Sequence, residues 1–575
     1  MAVVQQYLFT SNRDYGILHI ECNGKANLYM HHCFDDDDNL YVSTQDYQGS
    51  RNYTGYGGGK MTPTAILKIN SKTGQVIWQK HVDMWKGGGS NRGIDIDTSG
   101  NLYSVHNTSS LIPYSVSQFS GGNGSQVILH KWNGSNGNNI WSRGYGIYNL
   151  NYAQTVNGYY VYQIDDLAWT LNCIGTSSVS IFGENRKPAP NIYSPSAACQ
   201  NLNFVSISSS GSLNSEYEYT RSSAFWGGGY VSTWYDSVMD GSGNHYLVMT
   251  RNNSVGYYGL GTTNQRNSSL VVMKLNSSGV IQYQKQFSYI NSLMDSGGTS
   301  HEGQRIAVDN SGNVYTGHRV RKTHSGAYYD HFIIKNNSSG AIQWVRRLGV
   351  STPANTQNEN IVGIVVDPDD NNYFYVLIQT KITLNGVWGS NKIAYVLVKY
   401  NSSGSMQWQR VIVGQGANGS GQMTVTNSMR SHGHRRRGSF YFKKRGIYIS
   451  VQFYTGTSGF TGYHCGFIHF PVDTYLVGDW TIPMGSAQTS YKIYIRDMST
   501  GIVSQTISSY AYWQNMDFTR YTNVGSAPGK TNYSPTSYSA QYMSNPVNGN
   551  STTDSIVYAA PFNTFSAYTA GLHTE

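Results

Sequence analysis

Charge is the scarcest resource in this chain: of 575 residues only 40 are Lys or Arg and 31 Asp or Glu, 12% in all, about half the usual share for a globular domain. Long helices built on Glu, Lys and Leu are therefore excluded, and no heptad pattern supports a coiled coil. Apolar runs never approach the ~18 residues of a membrane-spanning helix, so membrane insertion is not expected. Proline is sparse at 13, and no Gly-X-Y register exists among the 63 glycines, which removes collagen. The five cysteines, Cys22, Cys33, Cys173, Cys199 and Cys465, form no Cys-x-x-Cys pair. A zinc ribbon and a dense disulfide framework are thus unsupported, and at most a bridge or two could form. The start, Met1 to Tyr7, lacks a basic segment followed by an apolar core, so a chain made and assembled in the cytoplasm is expected rather than an exported one.

In place of charge stand 47 tyrosines and a surplus of Gly, Asn, Ser and Thr. Low charge with abundant Gly and Ser is also the composition of disordered segments, but 13% aromatic and 39% hydrophobic residues, set in short β-branched bursts, can bury enough area to offset ordering entropy.

Those bursts repeat. One phrase runs from a strand ending in Lys, through an Asn/Ser/Gly turn, into a strand with an aromatic residue. Lys68 to Trp78, Lys131 to Trp141, Lys274 to Tyr283, Lys335 to Trp344 and Lys399 to Trp408 are clear copies, and Ile207 to Tyr217 is a diverged one. A second phrase precedes it: an Asp, a short turn, then a hydrophobic-Tyr strand. It occurs at Asp38-Asn39-Leu40-Tyr41, Asp97 to Tyr103, Asp240 to Tyr246, Asp309 to Tyr315 and Asp367 to Tyr373. Asp and Asn side chains bond back to their own backbone and Gly accepts positive φ, so both phrases are hairpin turns. Two hairpins per repeat imply four strands. A period near 60 residues is that of a β-propeller blade with loop insertions, compact blades running to about 40–50.

The expected fold is all-β: a propeller over residues 30–484 of about seven four-stranded blades, with six or eight left open. Residues 1–29 are expected to supply the strand that closes the ring, through Tyr15 to Ile20. The seventh blade is expected from Gly446 to Val451 and Gly466 to Phe470, with Trp480 in the aromatic place. Residues 485–575 form a Tyr/Ser/Asn-rich extension, read as a hairpin of Tyr491 to Ile495 with Gly501 to Ser504, followed by an extended tail lying on the propeller or on a neighbouring subunit.

These phrases resemble the repeats of bacterial and viral β-propeller proteins, and over about residues 30 to 480 the chain is similar to propeller-containing tail or baseplate proteins of marine bacteriophages. The resemblance implies a non-enzymatic virion structural protein in multiple symmetric copies, contacting other tail or baseplate subunits and a host surface glycan. Weak loop contacts would be multiplied by the array. The alternative is a cell-surface carbohydrate-binding or carbohydrate-hydrolysing propeller; a third reading is a bacterial surface or periplasmic propeller.

Individual residues assign no catalytic, cofactor-binding or metal site. The Gly-rich aromatic stretches Asn52 to Gly59 and Ala224 to Tyr230 could stack on sugar rings or pack as loops. The basic run Ser431 to Arg437, centred on Arg435, with Lys443-Lys444-Arg445, could meet an acidic neighbour or phosphate or stand as a solvated loop. Basic residues do not recur around the repeats as nucleic-acid binding would require, so that partner is not expected. Asp35 to Asp38 lacks the spaced ligands of a calcium loop and reads as an acidic turn. His31-His32-Cys33 lacks a second ligand pair and reads as core or loop. Neither the arginine cluster and Tyr/Glu pair of sialidase-like hydrolysis nor a quinone-and-calcium set can be assigned.

Overall fold

The computed structural model describes thirty-seven strands between Gly16 and Ser537 together with the tight turns that join them; residues 1–15, 538–575 and most of the longer connections lie outside the described residues. A short strand, β1 (Gly16–Ile20), comes first. The first blade is β2 (Ala26–Phe34), β3 (Asn39–Asp46), β4 (Thr64–Asn70) and β5 (Val76–Val82). The second is β6 (Ser90–Ile96), β7 (Leu102–Thr108), β8 (Gln126–Trp132) and β9 (Asn139–Tyr145), followed by a two-residue pair, β10 (Thr155–Val156) with β11 (Tyr159–Tyr160). The third is β12 (Asp166–Ile174), β13 (Ser178–Pro188), β14 (Ala198–Ser208) and β15 (Leu213–Arg221); the fourth is β16 (Val231–Met239), β17 (His245–Asn253), β18 (Asn267–Leu275) and β19 (Ile281–Tyr289). The fifth is β20 (His301–Val308), β21 (Val314–Arg321), β22 (Tyr329–Asn336) and β23 (Ile342–Val350); the sixth is β24 (Asn360–Val366), β25 (Tyr373–Lys381), β26 (Ile393–Asn401) and β27 (Met406–Gly416).

These are six antiparallel four-strand meanders arranged as a β-propeller, and no helix occurs among the described residues. Six regular blades lie within the range expected. Between the sixth and the first stands a composite sheet of β28 (Met423–Val425), β29 (Arg430–Ser431), β30 (Gly446–Tyr454) and β31 (Tyr463–Pro471), in which β1 pairs with β31 from Gly16↔His469 to Ile20↔Cys465. Trp480 is not part of that sheet. It lies on β32 (Gly478–Met484), which pairs with β33 (Thr489–Asp497) beside the sixth blade.

The core sits between blades. Ala307, Tyr315 and Ile333 of the fifth pack on Ile364, Phe374 and Val396 of the sixth, and Tyr375 and Leu397 of the sixth pack on Ile447, Ile449 and Ile468 of the closing sheet. Phe34 of the first blade meets Tyr448 with ring centroids 4.5 Å apart, completing the circuit. Strands sandwiched on both faces read as unbroken apolar runs, as Leu270 to Met273 does.

The two repeated phrases are one device. In the Asp turn, Asp97 Oδ1 accepts from the amides of Ser99 (2.9 Å) and Asn101 (2.8 Å), and Gly100 takes a φ of 78°. In the Asn turn, Asn401 Oδ1 accepts from Ser405 N at 2.8 Å and Gly404 takes 79°. Within the first copy it is Asp35, not Asp38, that has this role, bonding the amides of Asp37 and Asn39.

In the second, third and sixth blades this turn, led by Ser208 in the third, is gripped by the preceding blade. The carbonyl of Gly134 in the second blade accepts from Trp78 Nε1 (2.9 Å), Lys68 Nζ (3.1 Å) and Tyr41 Oη (3.1 Å) of the first. Ser209 O accepts from Trp141 Nε1 (2.9 Å) and Lys131 Nζ (3.1 Å), and Ser402 O from Trp344 Nε1 and Lys335 Nζ, both 3.0 Å. The turn glycine lies against the same aromatic: a Cβ on Gly137 would come within 2.7 Å of the Trp78 ring.

The C-terminal segment does not form the expected hairpin. Here β33 pairs with β27 of the sixth blade and β34 (Ile502–Thr506) with β23 of the fifth. Next, β35 (Ala511–Asn515) adds to β19, β36 (Phe518–Thr522) to β15 and β37 (Thr536–Ser537) to β9. Every addition is antiparallel on an outermost strand, so the segment travels around the rim from the sixth blade back to the second. Arg410 of β27 pairs with Asp497 where this belt begins.

Replacing Lys335 by Met removes a charged donor to Ser402 O and is expected to cost about 2 kcal/mol; Trp344→Phe keeps the ring and removes one neutral bond, costing about 1 kcal/mol. The double variant should depart from additivity because both donors share one acceptor. Denaturant unfolding of the four proteins checks this, and strictly additive losses would refute a shared clasp.

Candidate functional site: the bulged rim of the inner strands

Each blade's first strand lies toward the ring axis, and its C-terminal end carries the turn to the second strand, an Asp turn in every blade but the third, where Gly175 to Ser177 stand. The Asn turns lie at that same end, so one face of the ring is tiled by tight turns with exposed Ser99, Ser135, Asn136, Ser242, Ser278 and Ser339. The opposite end receives the long connections, including 47–63 between β3 and β4 and 222–230 between β15 and β16. Both Gly-rich aromatic stretches, Asn52 to Gly59 and Ala224 to Tyr230, belong to these connections and lie outside the described residues.

At this loop end all six inner strands break register with their neighbours. One extra residue is inserted at Arg92, Trp169, Gln304 and Val362. In the first and fourth blades three residues stand against one: 27–29, ending in Tyr29, and 233–235, including Trp234 and Tyr235. A bulge leaves a residue unpaired and re-aims it, and bulges concentrate at barrel rims and beside active sites. Six bulges at one end of six inner strands therefore form a ring of unpaired positions, five of which include an aromatic, amide or guanidinium residue type and the sixth of which is Val362.

Just behind the bulges, inter-blade bonds fix the inner strands. Asp95 Oδ2 accepts from Cys173 N (2.6 Å), linking the second blade to the third, and Asn172 Nδ2 donates to Ser237 Oγ (3.2 Å), linking the third to the fourth. Asp236 Oδ2 accepts from Ile306 N at 3.1 Å. Arg305 Nε donates to the carbonyl of Val362 at 2.8 Å, seizing the bulged residue itself, and Arg319 Nη1 donates to Asn360 Oδ1 at 2.8 Å. These carboxylates and guanidinium groups hold the rim in place.

The other candidate residues are structural where described. Asp35 is occupied by Asn39 Nδ2 (2.9 Å), Tyr41 Oη (3.1 Å) and Lys68 Nζ (3.0 Å) besides its turn amides. Its relatives hold tyrosines the same way: burial, then the Asp240 carboxylate, push the Tyr246 hydroxyl up, so it stays a proton donor to that carboxylate at 3.0 Å. His32 and Cys33 are buried in β2, and Cys173 is a second buried cysteine. No group of three or more His, Cys, Asp or Glu is placed to hold a metal ion among the described residues. Apart from the two strand residues Arg430 and Ser431, the basic run around Arg435, with Lys443 to Arg445, lies outside them.

A buried polar layer crosses the second blade. His130 Nδ1 lies 2.7 Å from Ser142 Oγ, His106 Nε2 lies 3.0 Å from Ser104 Oγ, and Trp132 Nε1 donates to that same hydroxyl at 3.0 Å. Burial lowers His130 to about 3, and burial with the nearby His130 and His31 holds His106 well below its ordinary value. His331 in the fifth blade is likewise lowered to about 3 by burial and by Arg319. All three are neutral in the native ring.

No protein-family model and no curated protein matches the chain. Among solved structures it is similar to a PL25 ulvan lyase bound to -[GlcA(1-4)Rha3S]-, with TM-score 0.40, 10% identity, and 80% of this chain and 96% of that chain covered. It is also similar to the polysaccharide lyase Uly1 (TM-score 0.37, 8% identity, 80% and 93% covered). A third is the α-L-arabinanase of Penicillium chrysogenum complexed with arabinobiose (TM-score 0.33, 11% identity, 67% and 93% covered). The expectation of a non-enzymatic chain is corrected by this finding, since these neighbours are enzymes. That expectation had come from the absence of a recognisable catalytic pattern, and propellers can draw their reactive groups from separate blades, with no linear motif to read. At these scores the likeness is one of sheet arrangement and assigns this chain no reaction.

The histidines make a pH prediction. Unfolded, His130 and His331 take up protons near 6.5; folded, only near 3. Their stability contribution is complete above about pH 6.5 and is lost as pH falls toward 3, at about 1.4 kcal/mol per unit per histidine. Calorimetric melting from pH 8 to 4 should show Tm falling through this window, with a shallower acid limb in His331→Leu; an unchanged slope would count against buried neutral His331.

Proposed function

We propose that the chain recognises an extended polysaccharide at the loop end of its ring, as a carbohydrate-binding or carbohydrate-cleaving propeller. The observation that carries this reading is the coincidence of six bulges at one end of the inner strands, five of which include Tyr29, Arg92, Trp169, Trp234 with Tyr235, and Gln304, while the sixth is Val362. Sugar rings offer apolar C–H faces to aromatic side chains and hydroxyls to amide and guanidinium donors, which is the chemistry these residue types supply. Fixing the strands behind the rim with bonds such as Arg305 to Val362 limits the ordering cost of binding. The Gly-rich aromatic connections join the ring at the same end.

The flat turn face favours a second reading that concerns setting rather than ligand. Tiled with exposed Ser and Asn, and with Asp36 and Asp37 on the first blade's turn, it suits stacking on neighbouring subunits of a phage tail or baseplate, with the bulged rim turned outward to a host surface glycan. Copurification with particles in fixed multiplicity is the expected result for that setting.

Glycan-array screening followed by calorimetric titration of the best polysaccharide tests the ligand reading. Trp169→Ala and Arg92→Ala should each weaken binding about tenfold or more, the equivalent of about 1.4 kcal/mol, while Ile140→Ser on the exposed outer strand should bind as the native chain does. Measuring reducing-end release from the same polysaccharide separates cleavage from binding alone. Native affinity in both rim variants would refute the assignment.

A further inference from the structure

The belt stops one blade short. Strands β33, β34, β35, β36 and β37 add to blades six, five, four, three and two in strict reverse order, each antiparallel to an outermost strand. The next strand in that order would add to β5 of the first blade, whose outer edge has no neighbour among the described residues. An exposed edge strand is a template for whatever extended chain reaches it.

After Ser537 the chain has 38 residues left, to Glu575. Earlier steps from one blade to the next use connections as short as the two residues between β35 and β36 and as long as the thirteen between β36 and β37. Within the remaining stretch, Ile556-Val557-Tyr558 is a consecutive β-branched and aromatic run, bounded by Asp554 before and Pro561 after, the pattern of a short strand between breakers. It begins 18 residues past β37, a span that an extended chain covers with about 60 Å to draw on.

We propose that Asp554–Ala560 docks as an antiparallel strand on the open edge of β5, within the same molecule, and so completes the belt at the first blade. Backbone pairing supplies the attachment, as it does for β33 to β37 on the other blades. The interaction surface is the β5 edge, and its partner is the chain's own terminus, independent of any glycan bound at the rim.

Hydrogen exchange read by mass spectrometry tests this on the full chain, on Val557→Pro, and on a chain ending at Ser537. In the full chain the β5 amides that point away from β4 should exchange at least tenfold more slowly than in either variant, with β3 and β4 unchanged in all three. Proline at 557 removes a donor and disfavours pairing without shortening the chain. Light scattering across a concentration series fixes the source of the strand: protection in a monomer at all concentrations supports docking in cis. Protection that appears only with a dimer would assign the β5 edge to a second copy, and equal exchange in the three proteins would leave the edge bare; either result overturns the proposal.

Discussion

A single backbone carbonyl, repeated from blade to blade, is the point on which this ring turns. Gly134 O, Ser209 O and Ser402 O each receive an indole N–H and a lysine ammonium from the blade before, all in buried or partly buried surroundings. An ammonium group withdrawn from water needs both a counter-charge and full hydrogen bonding. The Asp turn provides the first, as with Lys68 and Asp35 at 3.0 Å, and the next blade's turn provides the second. A blade supplies its lysine with the carboxylate but not with the carbonyl, so the residues that make a blade recognisable are fully bonded only against the next blade.

This is why the repeated phrases could be read without coordinates. Asp, Asn and Gly were legible as turn residues because their reasons are local: Asx bonding and a positive φ, seen at Gly100 and Gly404. The Lys and Trp of the phrase were legible only as a spacing, since their partners lie 56 to 78 residues away in the next blade. The acidic run Asp35 to Asp38 misled by three positions, because four identical residues give no local cue to which one bonds its own backbone.

The belt and the bulges were not legible, and for physical reasons. A strand added to a finished sheet is selected by backbone pairing, so Ile502–Thr506 and Phe518–Thr522 carry no alternation or turn residue announcing their blades. Apparent hairpin partners, Tyr491 to Ile495 and Gly501 to Ser504, instead serve neighbouring blades. A bulge is a one-residue slip between two strands, and nothing around Arg92 or Gln304 differs in composition from regular strand. Only when six inner strands are set side by side does the shared slip become a feature, and with it the candidate rim.

Because β1 is the first strand made and belongs beside β31, while the belt runs backward over blades already built, order of synthesis and order of assembly are opposed. A ribosome delivers blades one at a time, yet no outer edge can be sheathed until residues 489 onward emerge, and the sixth blade, built last, is sheathed first. Outer edges of blades already made are therefore bare until the last-made strands arrive, the exposure that makes unpaired edges prone to wrong partners.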